Sequence, residues 1–375
     1  MVSPEPVTLN SLGLMASNGA NPFILAIEVD SRRVRAGCLF AAMPGSKVHG
    51  ASFVASALEQ GAVAILTDAR GAALVGDAVA QAGAALIISD QPREALARTA
   101  ALYFGKQPQT MIAVTGTNGK TSVSTFVRQI WIEMGLNAVN LGTTGVEGAW
   151  TAPLAHTTPE PITLHRALRD AADNAITHAA MEASSHGLDQ RRLDGVVLKA
   201  AGFTNFTQDH LDYHETFEAY FDAKAGLFCR VLPEDGTAVV NIDDPKGVDM
   251  AAIARARGCT VITVGRDGGD LHLTGQRFDA TGQDLRFDWR GKTYQKRLEL
   301  IGGFQADNVL LAAGLVIACG ANAADVFDTL PHLTTVRGRM QLAATRDNGG
   351  AVFVDYAHTP DAIATALRAM RPHVM

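Results

Sequence analysis

An apolar, strand-prone run, Met111-Ile112-Ala113-Val114, passes into Thr115-Gly116-Thr117-Asn118-Gly119-Lys120-Thr121-Ser122, and a helical pattern follows. A strand, a glycine-rich turn and a helix start in that order mark an α/β unit carrying a phosphate-binding loop. Gly116 and Gly119 let the backbone approach a polyphosphate closely, with the loop N–H groups aimed at its oxygens. Lys120 adds a point charge for the terminal phosphates, and the Thr121 hydroxyl is placed to hold a magnesium ion. The position five residues before Gly119 is Val114, where the common spacing has glycine, so the loop is a shortened variant. The expectation is a chain that uses ATP, with contacts from Gly116 through Ser122.

The 375 residues suffice for two or three domains, each with its own core. A net charge of −6 argues against non-specific nucleic-acid binding, which needs a basic footprint. The four cysteines, Cys38, Cys229, Cys259 and Cys319, are widely spaced, which suits a reducing compartment and offers neither a disulfide framework nor a zinc site. The start, Met1-Val2-Ser3-Pro4-Glu5-Pro6, lacks the basic-then-apolar pattern of a signal peptide. No apolar run approaches the roughly 20 residues that span a bilayer. These features lead to the expectation of a soluble cytoplasmic protein.

Residues 1–107 alternate short apolar runs (38–42, 62–66, 85–88) with helical stretches, the pattern of a small α/β domain. Gly105-Lys106-Gln107-Pro108-Gln109 reads as a linker. Residues 108–335 form a second α/β domain around the loop, with strands expected at 179–181, 200–203 and 237–240 and an antiparallel excursion over 270–300. A third unit, 336–375, begins with a strand at 351–354 and a helix from about Pro360. One βα unit cannot bury its own sheet face, so the third domain is expected to be incomplete.

Three further clusters carry chemistry. Met181-Glu182-Ala183-Ser184-Ser185-His186-Gly187 follows an apolar run, where Glu182 offers magnesium a hard oxygen and Ser184 offers a polar substrate a hydroxyl. Capping at the strand end explains the same residues. Asn205 to His214 packs two carboxylates and two imidazoles, His210 among them, into six positions, a density that suits an ion or substrate site as well as a solvated loop. Lys224 falls within a helical stripe of Phe217, Tyr220, Phe221, Ala225 and Phe228. A lysine there either reaches to water, which spacing alone favours, or sits desolvated as a neutral amine able to take up carbon dioxide as a carbamate. Asn308, opening an apolar helix, has the donor and acceptor an adenine edge needs. Arg339 and the Asp355–Pro360 group follow a glycine and a strand and are weaker signals, with Thr359 also explained as a cap before Pro360.

Thr115–Ser122, His156-Thr157-Thr158-Pro159-Glu160, Met181–Gly187, Phe203–His214, Tyr220–Phe228 and Asp355–Pro360 together resemble the Mur ligases, and among them the tripeptide-forming branch. The likeness runs from Asp30-Ser31-Arg32 to the C-terminus. It implies an α/β fold of three domains: a small N-terminal α/β domain for a uridine nucleotide, a central P-loop ATPase domain, and the start of a Rossmann-like domain for an incoming amino acid. It implies ATP-dependent addition of a diamino acid, meso-diaminopimelate ahead of L-lysine, to UDP-N-acetylmuramoyl-L-Ala-D-Glu through an acyl phosphate. Ser31 and the loop containing Ser46, Lys47 and Val48 would contact the uridine part. Thr157, Thr158, Ser184, Gln190 and Arg192 would hold the muramoyl-dipeptide. Thr121, Glu182 and His210 would bind magnesium with a carbamylated Lys224, and Lys120 would face the transferred phosphate. Asn308, Arg339, Asp355 and His358 would serve ATP.

The chain departs from the family pattern at Arg337, where proline is usual, at Phe304-Gln305 and at His49. The residues that choose the amino acid are expected beyond Met375. A monomer is expected, without nucleic-acid or membrane partners. Two alternatives remain beside the ligase: a folylpolyglutamate or cyanophycin synthetase, and a fragment that binds nucleotide without turnover.

Overall fold

The computed structural model describes residues 6–45, 48–207, 213–347, 350–358 and 360–373. Ser46, Lys47, His210 and Thr359 lie outside the described residues. The chain divides into two compact units, one of residues 1–107, 159–173 and 190–196, the other of residues 108–158, 174–189 and 197–375.

In the first unit β1 (Ala26–Glu28), β2 (Cys38–Ala41), β3 (Ala62–Thr67) and β4 (Ala85–Ile88) form a parallel sheet in that order. The connections carry α1 (Val54–Glu59) and α2 (Ala69–Gln81), and α3 (Pro92–Phe104) follows β4. Asp68 Oδ1 starts α2 by accepting from Gly71 N at 2.7 Å, and Gly105 in the left-handed region stops α3. Both sheet faces are buried: Leu39, Leu66 and Ile87 pack with Tyr103 on one side, Phe40 and Ile65 with Val75 and Val79 on the other. Strands covered on both faces read as continuous apolar runs, which is why they were visible in the sequence.

In the second unit β5 (Thr110–Thr115) leads through the glycine loop into α4 (Lys120–Glu133), then to β6 (Ala138–Gly142) and β7 (Gly145–Gly148). The chain next supplies α5 (Pro161–Asp173) to the first unit, where it packs on α3. Glu160 starts that helix by accepting from Ile162 N and Thr163 N, both at 2.8 Å. The second unit resumes with β8 (His178–Glu182), α6 (Ser185–Asp189), β9 (Ala200–Phe203) and α7 (Phe217–Gly226). Then come β10 (Thr237–Asn241), α8 (Pro245–Ala256) and β11 (Thr260–Gly265). β12 (Leu271–Asp279), β13 (Gly282–Trp289) and β14 (Lys292–Leu298) form the antiparallel excursion expected over 270–300. α9 (Phe304–Ala318) and α10 (Ala323–Thr329) follow.

These strands make one ten-stranded sheet, ordered β14-β13-β12-β11-β10-β9-β5-β8-β6-β7. The middle of it is parallel, with Ile112, Val114, Ala180 and Val239 packed against Val123, Phe126 and Ile130 of α4 and the apolar length of α9. The chain leaves β5 toward β6 on one side and leaves the adjacent β9 toward β10 on the other. That makes the carboxyl end of β5 the switch point, where open α/β sheets hold their ligands. Beyond α10, β15 (Gln341–Thr345) pairs antiparallel with β16 (Ala351–Val354), and α11 (Pro360–Met370) follows. The sequence shows no sign of β15, four of whose five residues are exposed and which has no alternation to reveal a strand.

Candidate active site

The loop leaves β5 at Thr115 and enters α4 at Lys120. Gly119 sits at φ 87°, in the left-handed region that favours glycine, and a methyl group there would come within 2.7 Å of Asn308 Oδ1. Asn308 therefore stands beside the loop, its Nδ2 donating to Gln305 Oε1 at 3.2 Å. Asn205 fixes the loop from β9's end: its Oδ1 accepts from Asn118 N at 2.9 Å and its backbone carbonyl from Thr117 N at 2.9 Å. Lys120 curls back over the loop, donating to Gly116 O at 2.9 Å and Thr117 O at 2.8 Å.

Glu182 is the buried charge of the site, 1 % exposed at the end of β8 and opposite Val114 in register. Its Oε2 accepts from Thr121 Oγ1 at 3.0 Å and its Oε1 from Thr143 N at 2.9 Å. A methyl group on Gly142 would collide with this carboxylate. Thr121 Oγ1 in turn accepts from Arg339 Nη2 at 3.2 Å. The Arg339 guanidinium also stacks 4.7 Å from the Tyr356 ring. Thr158 Oγ1 donates to Glu182 O at 2.9 Å and accepts from Ser184 N at 3.0 Å, while Thr157 Oγ1 meets Thr143 Oγ1 at 3.1 Å. Ser184 Oγ accepts from Gly187 N at 3.1 Å and so also caps α6.

Lys224 overturns the expectation from spacing that it reaches to water. It is 1 % exposed, its Nζ donates to Gly116 O at 2.9 Å, and it lies 4.3 Å from the centroid of the Tyr220 ring. A carbonyl acceptor and an aromatic face offset part of the desolvation cost that would otherwise drive the ammonium outward.

Other expected residues serve nearer neighbours. Asp355 accepts from Met340 N and Ala357 N, both at 2.8 Å, and exposed His358 pairs through Nδ1 with Tyr356 O at 2.9 Å. In the first unit Ser31 opens a short turn whose Asp30 pairs with Arg32 at 2.7 Å, Val48 is exposed, and Gln190 Oε1 accepts from Arg192 Nη2 at 2.8 Å. His49 Nδ1 accepts from Ala51 N at 3.0 Å, so Nε2 carries the proton toward Asp68 Oδ1 at 3.1 Å. Thr143 was missed from the sequence, although Leu141-Gly142-Thr143-Thr144-Gly145 offered the signal of a strand ending in a glycine turn. Tyr220, whose hydroxyl is 3.2 Å from Thr117 Oγ1, was read only as part of an apolar stripe.

A phosphate loop followed by a buried carboxylate on the neighbouring strand defines a nucleotide-using α/β enzyme. Residues 114–316 match the Mur ligase middle domain, and residues 24–104 match the Mur ligase family catalytic domain. The chain belongs to the Mur ligase family. It is 46% identical over 362 residues to the UDP-N-acetylmuramoyl-L-alanyl-D-glutamate--2,6-diaminopimelate ligase of Chelativorans sp. (strain BNC1), covering 96% of this chain and 74% of that protein. The enzyme of the same name from Caulobacter vibrioides is 45% identical over 360 residues, covering 94% and 73%. A solved structure of a protein of that name superposes with a TM-score of 0.82 at 28% identity, covering 99% of this chain and 75% of the other.

Proposed function

We propose that the chain is an ATP-dependent ligase that joins diaminopimelate to the D-glutamyl carboxylate of UDP-N-acetylmuramoyl-L-Ala-D-Glu, in the making of a peptidoglycan precursor. The observation that carries this reading is the buried Thr121–Glu182 pair beside the glycine loop, in a chain 45% and 46% identical to named diaminopimelate ligases. ATP fits the loop, with its glycines, its backbone N–H groups and Lys120. Magnesium fits the donor set, because Thr121 Oγ1 and the Glu182 carboxylate are hard oxygens. Among the described residues no cluster of three or more His, Cys, Asp or Glu side chains could form an all-protein cage.

Thr121 and Glu182 would hold magnesium, with His210 and a carbamylated Lys224 serving a second ion. When bound, the metal supplies neutralisation of the negative charge spread over the transferring phosphoryl group. Lys120 would leave the carbonyls of Gly116 and Thr117 and turn to the terminal phosphates. A carbamate on Lys224 keeps one N–H able to donate to Gly116 O and converts a buried cation into an anion. Asn308, standing at Gly119, would meet the phosphate end of ATP, a different role from the adenine contact its chemistry suggested. Arg339 would reach the same end beside Thr121. Asp355 would act by holding the backbone after Arg339, and His358 would lie nearby. Ser31 with the loop of Ser46, Lys47 and Val48 would contact uridine, and Thr157, Thr158, Ser184, Gln190 and Arg192 the muramoyl-dipeptide.

The D-glutamyl carboxylate is a poor electrophile. Its oxygen would take the γ-phosphoryl group, giving an acyl phosphate and ADP. The diaminopimelate amine then adds to the carbonyl carbon, and the tetrahedral intermediate collapses to the amide with release of phosphate. A nucleotide-activated substrate and ATP suit work in the cytoplasm, and among the described residues no helix is long and apolar enough to cross a membrane. The test is phosphate release from ATP with the UDP-dipeptide and either diaminopimelate or L-lysine. Release dependent on diaminopimelate supports the proposal. Release with lysine alone corrects the amino acid, and binding of the UDP-dipeptide without release makes the chain a binding fragment.

A further inference from the structure

α7 touches the glycine loop at two points one helical turn apart. Tyr220 is fully buried, and its hydroxyl lies 3.2 Å from Thr117 Oγ1. The same threonine oxygen accepts from Thr207 N at 3.0 Å and donates to Thr207 O at 3.1 Å. Either hydroxyl can be the donor in the Tyr220–Thr117 pair. Residues four apart share a helix face. Lys224, four residues on, meets Gly116 O with its Nζ while standing over the Tyr220 ring. The ring is braced by Phe206, 5.1 Å away between centroids, whose backbone N donates to Asp244 Oδ2 at 2.6 Å. Thr117 and Gly116 are thus held from α7 by one hydroxyl and one amine, both arising from a packed helix and not from the loop itself.

We propose that Tyr220 is a positioning residue for nucleotide binding. Its hydroxyl fixes Thr117 and with it the direction of the loop N–H groups, and its ring holds Lys224 against Gly116. The inference rests on reading the loop as the phosphate site of ATP.

The test compares Tyr220→Phe, which keeps the ring and removes the loop bond, with Tyr220→Leu, which removes both. Tyr220→Phe should raise KM for ATP and Kd for ADP about three- to tenfold, the worth of one hydrogen bond. It should leave kcat within about twofold, with KM for the UDP-dipeptide unchanged. Tyr220→Leu should lower kcat as well, because the Lys224 side chain loses the ring that holds it beside Gly116, a packing role that survives conversion of the amine to a carbamate. Thr117→Val also removes both bonds to Thr207, so it should weaken ADP binding more than Tyr220→Phe does, and the double variant should lose less than the sum of the two because they share the Tyr220–Thr117 bond. Wild-type ADP affinity in Tyr220→Phe overturns the proposal. So does a parallel loss of ADP binding, UDP-dipeptide binding and thermal midpoint, which marks a role in packing alone. ADP binding is read by calorimetry without turnover. A wild-type chain that binds ADP but forms no amide would therefore defeat the ligase reading and leave this test standing.

Discussion

Lys224 shows how far one residue's chemistry depends on its partners. Its place in the 217–228 stripe is plain from spacing, but spacing cannot say whether the ammonium escapes to water. Among its partners in the buried position are Gly116 O, 108 residues earlier in the chain, and the Tyr220 ring. No local pattern encodes an acceptor that the sheet brings there. If the buried amine becomes a carbamate serving magnesium, Lys224→Ala should cut turnover by more than about tenfold, the loss of a charge-bearing active-site group. Added short carboxylates should then restore part of it. Wild-type turnover in that variant would remove the carbamate from the account. Lys120 gives the complementary case. Lys120→Ala should abolish phosphate release while calorimetry still detects the UDP-dipeptide, and loss of that binding would mean the two ligands do not use separate groups of residues.

At the scale of elements, the strand–loop–helix of β5 and α4 was legible because every determinant is local: an apolar run, two glycines and a lysine opening a helix. The β12–β14 meander was legible for the same reason, through alternation. The use of α5 by the first unit was not, because it depends on α3 offering that helix a face. α5 also carries a pH effect. His165 is buried on it, and its Nε2 has no hydrogen-bond partner among the described residues. Burial holds its pKa down to about 4 from 6.5. The unfolded chain therefore binds this proton below about pH 6.5, while the folded chain refuses it until about pH 4. Stability from this group is complete above pH 6.5 and falls as pH drops through that window, by about 3 kcal/mol at the lower end. Urea midpoints measured from pH 7 to pH 4 should fall more steeply for the wild-type chain than for His165→Leu. Equal slopes would show that His165 is not the group responsible.

For the whole molecule, the sheet order explains why distant motifs converge. β8 and β9 flank β5, so Glu182 and the Thr204–Asn205 turn arrive beside the loop although they follow it by dozens of residues. The motifs announced a nucleotide and a metal from their residue types; the pairing of Glu182 with Thr121 and Thr143 needed the sheet. This arrangement is proposed to activate a carboxylate as an acyl phosphate. The most direct measurement uses UDP-N-acetylmuramoyl-L-Ala-D-Glu with the reacting D-glutamyl carboxylate labelled with oxygen-18, turned over with ATP and diaminopimelate. The released phosphate is then analysed by mass. An acyl phosphate leaves one carboxylate oxygen on phosphorus, so each phosphate released in step with amide should carry a single label. Unlabelled phosphate accompanying amide formation would contradict the account.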